Sequence, residues 1–117
     1  MDTNNFPEII SNLPKAYIPI KGLAAFLFQG EEQQILFMEF SEDTAVPEHS
    51  HEAQWGTVLA GKIELIIEDE KSVLHSGESY FIPANAKHSA MIKAGYKDIT
   101  LFNQKDRYLT KDTDEKT

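Results

Sequence analysis

Cysteine is absent from this sequence, so disulfides, iron–sulfur clusters and thiol nucleophiles are excluded together, and any bound metal must rely on His, carboxylate or amide donors. Basic side chains are scarce: 11 Lys and Arg stand against 19 Asp and Glu, for a formal net charge of −8. A phosphate backbone or an anionic membrane surface needs clustered cations, so no nucleic-acid and no membrane partner is expected. No apolar run is long enough to span a bilayer, and the opening MDTNNFPEII has neither a basic n-region nor an apolar h-region, which leads to an expected cytoplasmic location. Repeats, low-complexity tracts and a helix-turn-helix segment are also missing. At 117 residues the chain has room for one core and not for two.

What is present has a period of two. The apolar runs are short, rich in Ile, Val and Phe, and punctuated by Gly, Pro and Ser, which is the pattern of strands. GLAAFLFQGEEQQILFMEF reads as strands at about 23–28 and 34–40 around a tight turn at Gly30-Glu31, where glycine would supply a positive φ. TVLAGKIELIIEDEKSVLHSGESYFIP reads as strands separated by turns at Ala60-Gly61, Asp69-Glu70 and Ser76-Gly77. Close, even spacing of such strands indicates an all-β sandwich or barrel. Residues 1–19 are Pro-spaced and suit an edge strand, a segment exchanged between protomers, or a short helical turn at 7–12. Residues 20–105 form the barrel. Residues 106–117 form a polar C-terminal tail, with KDTDEKT from Lys111 expected to be disordered.

Three of the four histidines fall in two stretches. In PEHSHEAQWGTVLAG, His49 and His51 are two residues apart, so on a strand they share one face with Cα atoms about 6.6 Å apart, close enough to converge on one ion. Gln54 has the opposite parity to His51 and can point inward only if a bend or bulge consumes a residue at Glu52-Ala53. In GESYFIPANAKHSA, Gly77 turns the chain, Pro83 ends a strand, and His88 follows a loop in which Asn85 suits left-handed geometry. His75, beside a turn, reads as a solvated residue. Trp55 and Tyr80 read as wall or core packing, the EDE at 68–70 as a solvated hairpin tip, and Lys87 as a surface lysine or a contact for an anion.

These stretches resemble the two motifs of the cupin superfamily, GxxxxxHxH(x)3–4E(x)6G and GxxxxxPxGxxHxxxN. His49, His51 and Gly61 match the first, with Asp43 at its initial Gly; Gly77, Pro83 and His88 match the second, with Asn85 at its second Gly and Ile92 at its Asn. The resemblance covers about residues 20–105, and the 15 residues between Gly61 and Gly77 are the short linker of small single-domain cupins. It implies an antiparallel double-stranded β-helix, or jelly-roll, barrel with one divalent transition metal ion (Zn, Ni, Mn or Fe) held by His49, His51, Gln54 and His88. Gln54 takes the place of the family's Glu ligand, with two residues rather than three or four separating it from His51.

A glutamine in this place and the closing DITLFNQKDRYL resemble the cupins that open unsaturated uronate rings in pectin and alginate breakdown. The resemblance implies a metal-dependent enzyme acting on a small, oxygenated, anionic metabolite by isomerisation or ring opening of a sugar-acid-like substrate. Two other functions remain open at this point: a metal-dependent dioxygenase, and a non-catalytic metal- or metabolite-binding cupin. No catalytic base is assigned, although Glu39 or Glu52 would serve if either faces the cavity. LAAFLF and ILFMEF carry more apolar surface than a small barrel can face inward, so a homodimer is expected, as in related cupins.

Overall fold

The structure, a computed structural model, describes residues 6–110. Strands dominate it because runs such as LAAFLFQ, QILFMEF and KDITLF alternate side chains between an inner and an outer face. In chain order the elements are α1 (Glu8–Ser11), β1 (Leu23–Gln29), β2 (Gln34–Phe40), β3 (Thr44–His49), β4 (Gln54–Ala60), β5 (Lys62–Ile67), β6 (Glu70–His75), β7 (Ser79–Ile82), β8 (His88–Ile92) and β9 (Lys97–Phe102). They form two antiparallel sheets, five-stranded in the order β1-β2-β9-β4-β7 and four-stranded in the order β3-β8-β5-β6. This is the all-β jelly-roll expected from the motifs.

The turns follow local chemistry, with two differences from expectation. Gly30 lacks the positive φ expected of it. The β1–β2 reversal is a four-residue loop closed by the Gly30 N–H donating to Gln33 O at 2.8 Å, and a Cβ on Gly30 would stand 3.0 Å from that carbonyl oxygen. Close approach, rather than backbone sign, is what glycine supplies there. The acidic turn lies one residue earlier than expected: Glu68 (φ 47°) and Asp69 (φ 71°) are both left-handed, and Ile67 pairs with Glu70. Two left-handed central residues make the reversal whose twist matches the flanking strands.

The inner faces enclose one interior. Phe40, Val58, Ile63, Leu65, Ile82, Ala90, Ile92 and Tyr96 pack between the sheets, and Ala16, Ala25, Leu27, Leu36 and Phe102 close one end. Full burial of a Leu, Ile, Val or Phe side chain contributes about 1.5–3 kcal/mol, so these residues are the main favourable contribution to folding. The described part of the N-terminal segment packs on its own chain. Ala16 N–H donates to Ala25 O and Leu27 N–H to Pro14 O, which covers the edge of β1, and Phe6 sits edge-on to Phe26 and Phe37 on the outer face. Residues 106–110 also belong to the packed body: Tyr108 rests against the Phe102 end of the core, and Leu109 O accepts from Tyr17 N–H. The stretch KDTDEKT lies outside the described residues.

Among the described residues, nothing covers one outer surface. Phe28, Ile35, Leu101, Trp55 and Phe81 are successive cross-strand partners, a single apolar row across all five strands of the larger sheet. Trp55 therefore corrects the expectation of wall or core packing, since its parity on β4 sends it outward and it is 43% exposed. Among the described residues, no helix is long and apolar enough to cross a membrane.

Candidate metal centre

The histidines meet at one end of the interior through three different local devices. His49 ends β3, and a register shift between Val46 and His49 inserts one extra residue, so His49 faces inward opposite His88 on β8. Without that shift, the inward position after Val46 would be Glu48. His51 lies beyond the end of β3, so the pair does not share a strand as expected. The irregular stretch 50–53 carries the chain from the smaller sheet to the larger one, and it provides the break that Gln54 requires. Asn85, left-handed at φ 67° as its place in the motif suggested, donates its N–H to His51 O at 2.7 Å and ties the two motif loops together.

Each imidazole is oriented by a neighbouring carbonyl. His49 Nδ1 lies 2.8 Å from Pro47 O, His51 Nδ1 2.7 Å from Glu52 O, and His88 Nδ1 2.9 Å from Ala86 O. A carbonyl only accepts, so each Nδ1 carries the proton and each Nε2 keeps a free lone pair. One possible ligand nitrogen from each ring can be chosen so that all three lie within 4.8 Å of one another, and His51 Nε2 and His88 Nε2 are 3.2 Å apart. Converging lone pairs repel unless a cation lies between them, and this donor set fits a divalent transition metal ion. Burial is the main reason that the pKa of His51 falls to about 4 and that of His88 below its usual value, which keeps both rings in the neutral, ligating form.

Gln54 opens β4 on the opposite sheet, is 8% exposed, and lines the same cavity as the three histidines. Its Nε2 donates to Thr100 Oγ1 at 3.0 Å and lies 3.5 Å from the Tyr80 hydroxyl. His75 is exposed at the end of β6 near Glu78, apart from the cluster. Asp43, at the first motif's initial position, accepts from Ala94 N–H at 2.9 Å. Lys87 is exposed. Glu39 pairs with Lys97 at 3.8 Å and Glu52 is exposed, and neither lines the cavity, so neither is the base left open by the sequence.

The cavity below the histidines has a volume of about 110 Å³ and mainly aliphatic walls, among them Leu23, Met38, Val46, Leu65 and Ile92. Beside Gln54 and Tyr80, it is lined by polar groups that the sequence did not single out, among them Tyr96 and Asp98. Asp98 is buried on β9, and its Oδ2 accepts from Tyr96 at 2.7 Å and from Tyr80 at 3.0 Å, while Oδ1 has no hydrogen-bond partner among the described residues. Desolvation raises the Asp98 pKa to about 6 against the opposing effect of the two phenols, and both phenols are themselves pushed up by burial. Arg107 stacks on Tyr108, 4.6 Å from the ring, and lies over Phe102 at 5.9 Å; its charge also depresses the His51 and His88 pKa values. The strand KDITLF did carry a signal, because Asp98, Thr100 and Phe102 share one parity. Only knowledge of which parity faces in would have turned it into a site.

Residues 36–101, more than half of the chain, match the cupin domain family, and the chain belongs to that family. No curated protein matches the sequence. Among solved structures, KdgF from Halomonas sp. is similar with a TM-score of 0.69 at 23% identity, covering 79% of this chain and 86% of that one. An RmlC-like cupin from Shewanella frigidimarina aligns with a TM-score of 0.71 at 21% identity, covering 92% and 94%. A mutant oxalate decarboxylase from Bacillus subtilis aligns at 0.71 and 19%, covering 86% of this chain and 30% of that one.

Proposed function

We propose that this chain is a metal-dependent enzyme that acts on a small, oxygenated, anionic metabolite, by isomerisation or ring opening of a sugar-acid-like substrate. His49, His51, His88 and Gln54 are the ligands of one Zn, Ni, Mn or Fe ion in this reading. The observation that carries it is the convergence of one ring nitrogen from each of three histidines, with His51 Nε2 and His88 Nε2 3.2 Å apart and each Nδ1 against a backbone carbonyl. Such an ion, when bound, acts as a Lewis acid toward an oxygen ligand. The four donors are neutral, so the chain leaves the ion's charge undiminished for an anion, whereas a glutamate ligand would halve it. Arg107 adds a second positive charge near the mouth, and Tyr108 and Phe102 hold its guanidinium by stacking. The likeness in fold to KdgF and to oxalate decarboxylase, an enzyme named for a small dicarboxylate, is compatible with an anionic substrate. The test is metal analysis of protein purified without added metal or chelating resin, followed by assay against a panel of uronates and enols. One ion per chain and turnover of a panel member are expected; metal-free protein, or a loaded protein inert to the panel, would contradict the reading.

The aliphatic cavity walls favour a second reading, a dioxygenase, because among the described lining residues Asp98 is the one carboxylate, which leaves few groups for the proton transfers of an isomerisation. Oxygen uptake by the Fe(II)-loaded protein with an enol separates the two. We also propose a homodimer through the Phe28-to-Phe81 row, since contiguous exposed apolar surface of this kind marks an association site. Light scattering on the parent and on Phe81→Glu should give a dimer and a monomer respectively; a monomeric parent at micromolar concentration would exclude it.

A further inference from the structure

Position 54 is surrounded by protons that are already committed. The Thr100 hydroxyl donates to Trp55 O at 3.1 Å, and a carbonyl offers no proton in return. The Tyr80 hydroxyl donates to Asp98 Oδ2 at 3.0 Å, and that oxygen already accepts from Tyr96. Each of the two hydroxyls therefore presents a lone pair to Gln54, at 3.0 and 3.5 Å from Nε2. An NH₂ group suits both; an oxygen suits neither. Gly56 makes the arrangement possible, because a Cβ there would collide with Tyr80 Cζ, in the space the ring occupies on its way across β4 to Asp98.

We infer that Thr100, Tyr80 and Asp98 are positioning residues that hold Gln54 with its amide nitrogen toward β9 and its oxygen free for the ion, and that keep the fourth donor neutral by disfavouring a carboxylate at position 54. The inference rests on the metal reading above for its purpose, but the orientation of Gln54 is a property of the protein without metal. An ionised glutamate at 54 would set its oxygens against two lone pairs, and apart from protonation of the glutamate itself, which also costs stability at neutral pH, two rearrangements relieve this. Thr100 gives up its bond to Trp55 O, or Tyr80 turns from Asp98 and leaves a buried carboxylate with Tyr96 as its one donor, and each loses a hydrogen bond made in the parent. The negative charge that other cupins place on the ligand is here set back onto Asp98, linked to the ligand only through a phenol.

Two measurements test this. Zn²⁺ affinity, measured by chelator competition, should fall by about tenfold to a hundredfold in Thr100→Val and Tyr80→Phe, the usual effect of losing a group that orients a ligand. Tyr96→Phe removes the other donor to Asp98 without touching Gln54 and should move the affinity much less. In the metal-free protein, Gln54→Glu should lower the unfolding midpoint by about 5 °C or more. In an Asp98→Asn background that drop should shrink by at least half, because an amide at 98 frees the Tyr80 proton for the glutamate. If Asp98→Asn does not fold, Tyr80→Phe serves as the second background with the same expectation. Unchanged Zn²⁺ affinity in both Thr100→Val and Tyr80→Phe, or an equal drop in both backgrounds, would overturn the inference. If the parent binds no Zn²⁺, the metal reading fails and the metal-free cycle alone decides the orientation of Gln54.

Discussion

The two walls of the candidate centre are built differently. On the histidine wall, every orienting contact is local: Pro47 serves His49, Ala86 serves His88, and Glu52 serves His51, at sequence separations of 2, 2 and 1. On the glutamine wall, the contacts that reach Gln54 are distant: Gln54 to Thr100, Gln54 to Tyr80 and Tyr80 to Asp98 span 46, 26 and 18 residues, and only Tyr96 to Asp98, two residues apart, is local. Local contacts are written into short motifs and survive in them. Distant contacts exist only once β4, β7 and β9 are paired in register. In the proposed reading, the histidine wall supplies donor atoms, and the glutamine wall decides which atom of Gln54 is offered and what charge it carries.

The largest expected effect breaks the histidine wall. His88→Ala removes the most buried of the three imidazoles and should weaken metal binding by more than about a hundredfold, beyond what loss of an orienting group causes. His75→Ala, remote from the cluster, should leave metal content unchanged. Equal metal content in the two variants would remove the distinction between them.

The next effect sets the two walls against each other through pH, in metal-free protein. Asp98 has a folded pKa raised from 3.8 to about 6, so its contribution to stability is complete below pH 3.8 and is lost as pH rises through about 6. His51 has a folded pKa lowered from 6.5 to about 4, so its contribution is present above pH 6.5 and is lost as pH falls through about 4. The two oppose each other over nearly the same window. The rise at Asp98 is equivalent to about 3 kcal/mol. In urea unfolding, the stability of the parent relative to Asp98→Asn should therefore grow by up to that amount between pH 7 and pH 4. A difference independent of pH would show that Asp98 does not titrate as its burial requires.

These two walls also explain what could be read in advance. The jelly-roll, most strand boundaries, the left-handed Asn85 and the convergence of His49, His51 and His88 follow from period-two patterning and two motifs whose parts lie close in sequence. Asp98, Tyr96 and Thr100 could not be assigned, because their roles depend on which parity of KDITLF faces inward and on the registers Gly56↔Thr100 and Gly56↔Tyr80. Trp55 was misread for the same reason: nearness to a motif in sequence says nothing about the face of β4 on which a residue lies. Gly30 was misread because a glycine in a hairpin can serve close approach as well as a positive φ.

A smaller effect probes the glutamine wall from its packing. Gly56→Ala drives a methyl group into the Tyr80 ring and should cost about 2 kcal/mol in unfolding free energy, with Tyr80 displaced from Asp98. A variant as stable as the parent would mean that Tyr80 has room to move. The smallest effect lies at the mouth, where Arg107→Gln should weaken binding of a simple anion such as oxalate to the metal-loaded protein by about tenfold while metal affinity stays the same. Unchanged oxalate binding would remove Arg107 from the reading of an anionic substrate.

The central claim, that both walls serve one ion, is tested most directly by X-ray absorption at the zinc edge of the Zn²⁺-loaded protein. The account predicts three imidazole nitrogens at about 2.0–2.1 Å and at least one oxygen at about 2.0–2.2 Å, with the protein-derived oxygen lost in Gln54→Ala and the three nitrogens retained. A shell with fewer than three imidazoles, or Zn²⁺ held as tightly by Gln54→Ala as by the parent, would contradict it.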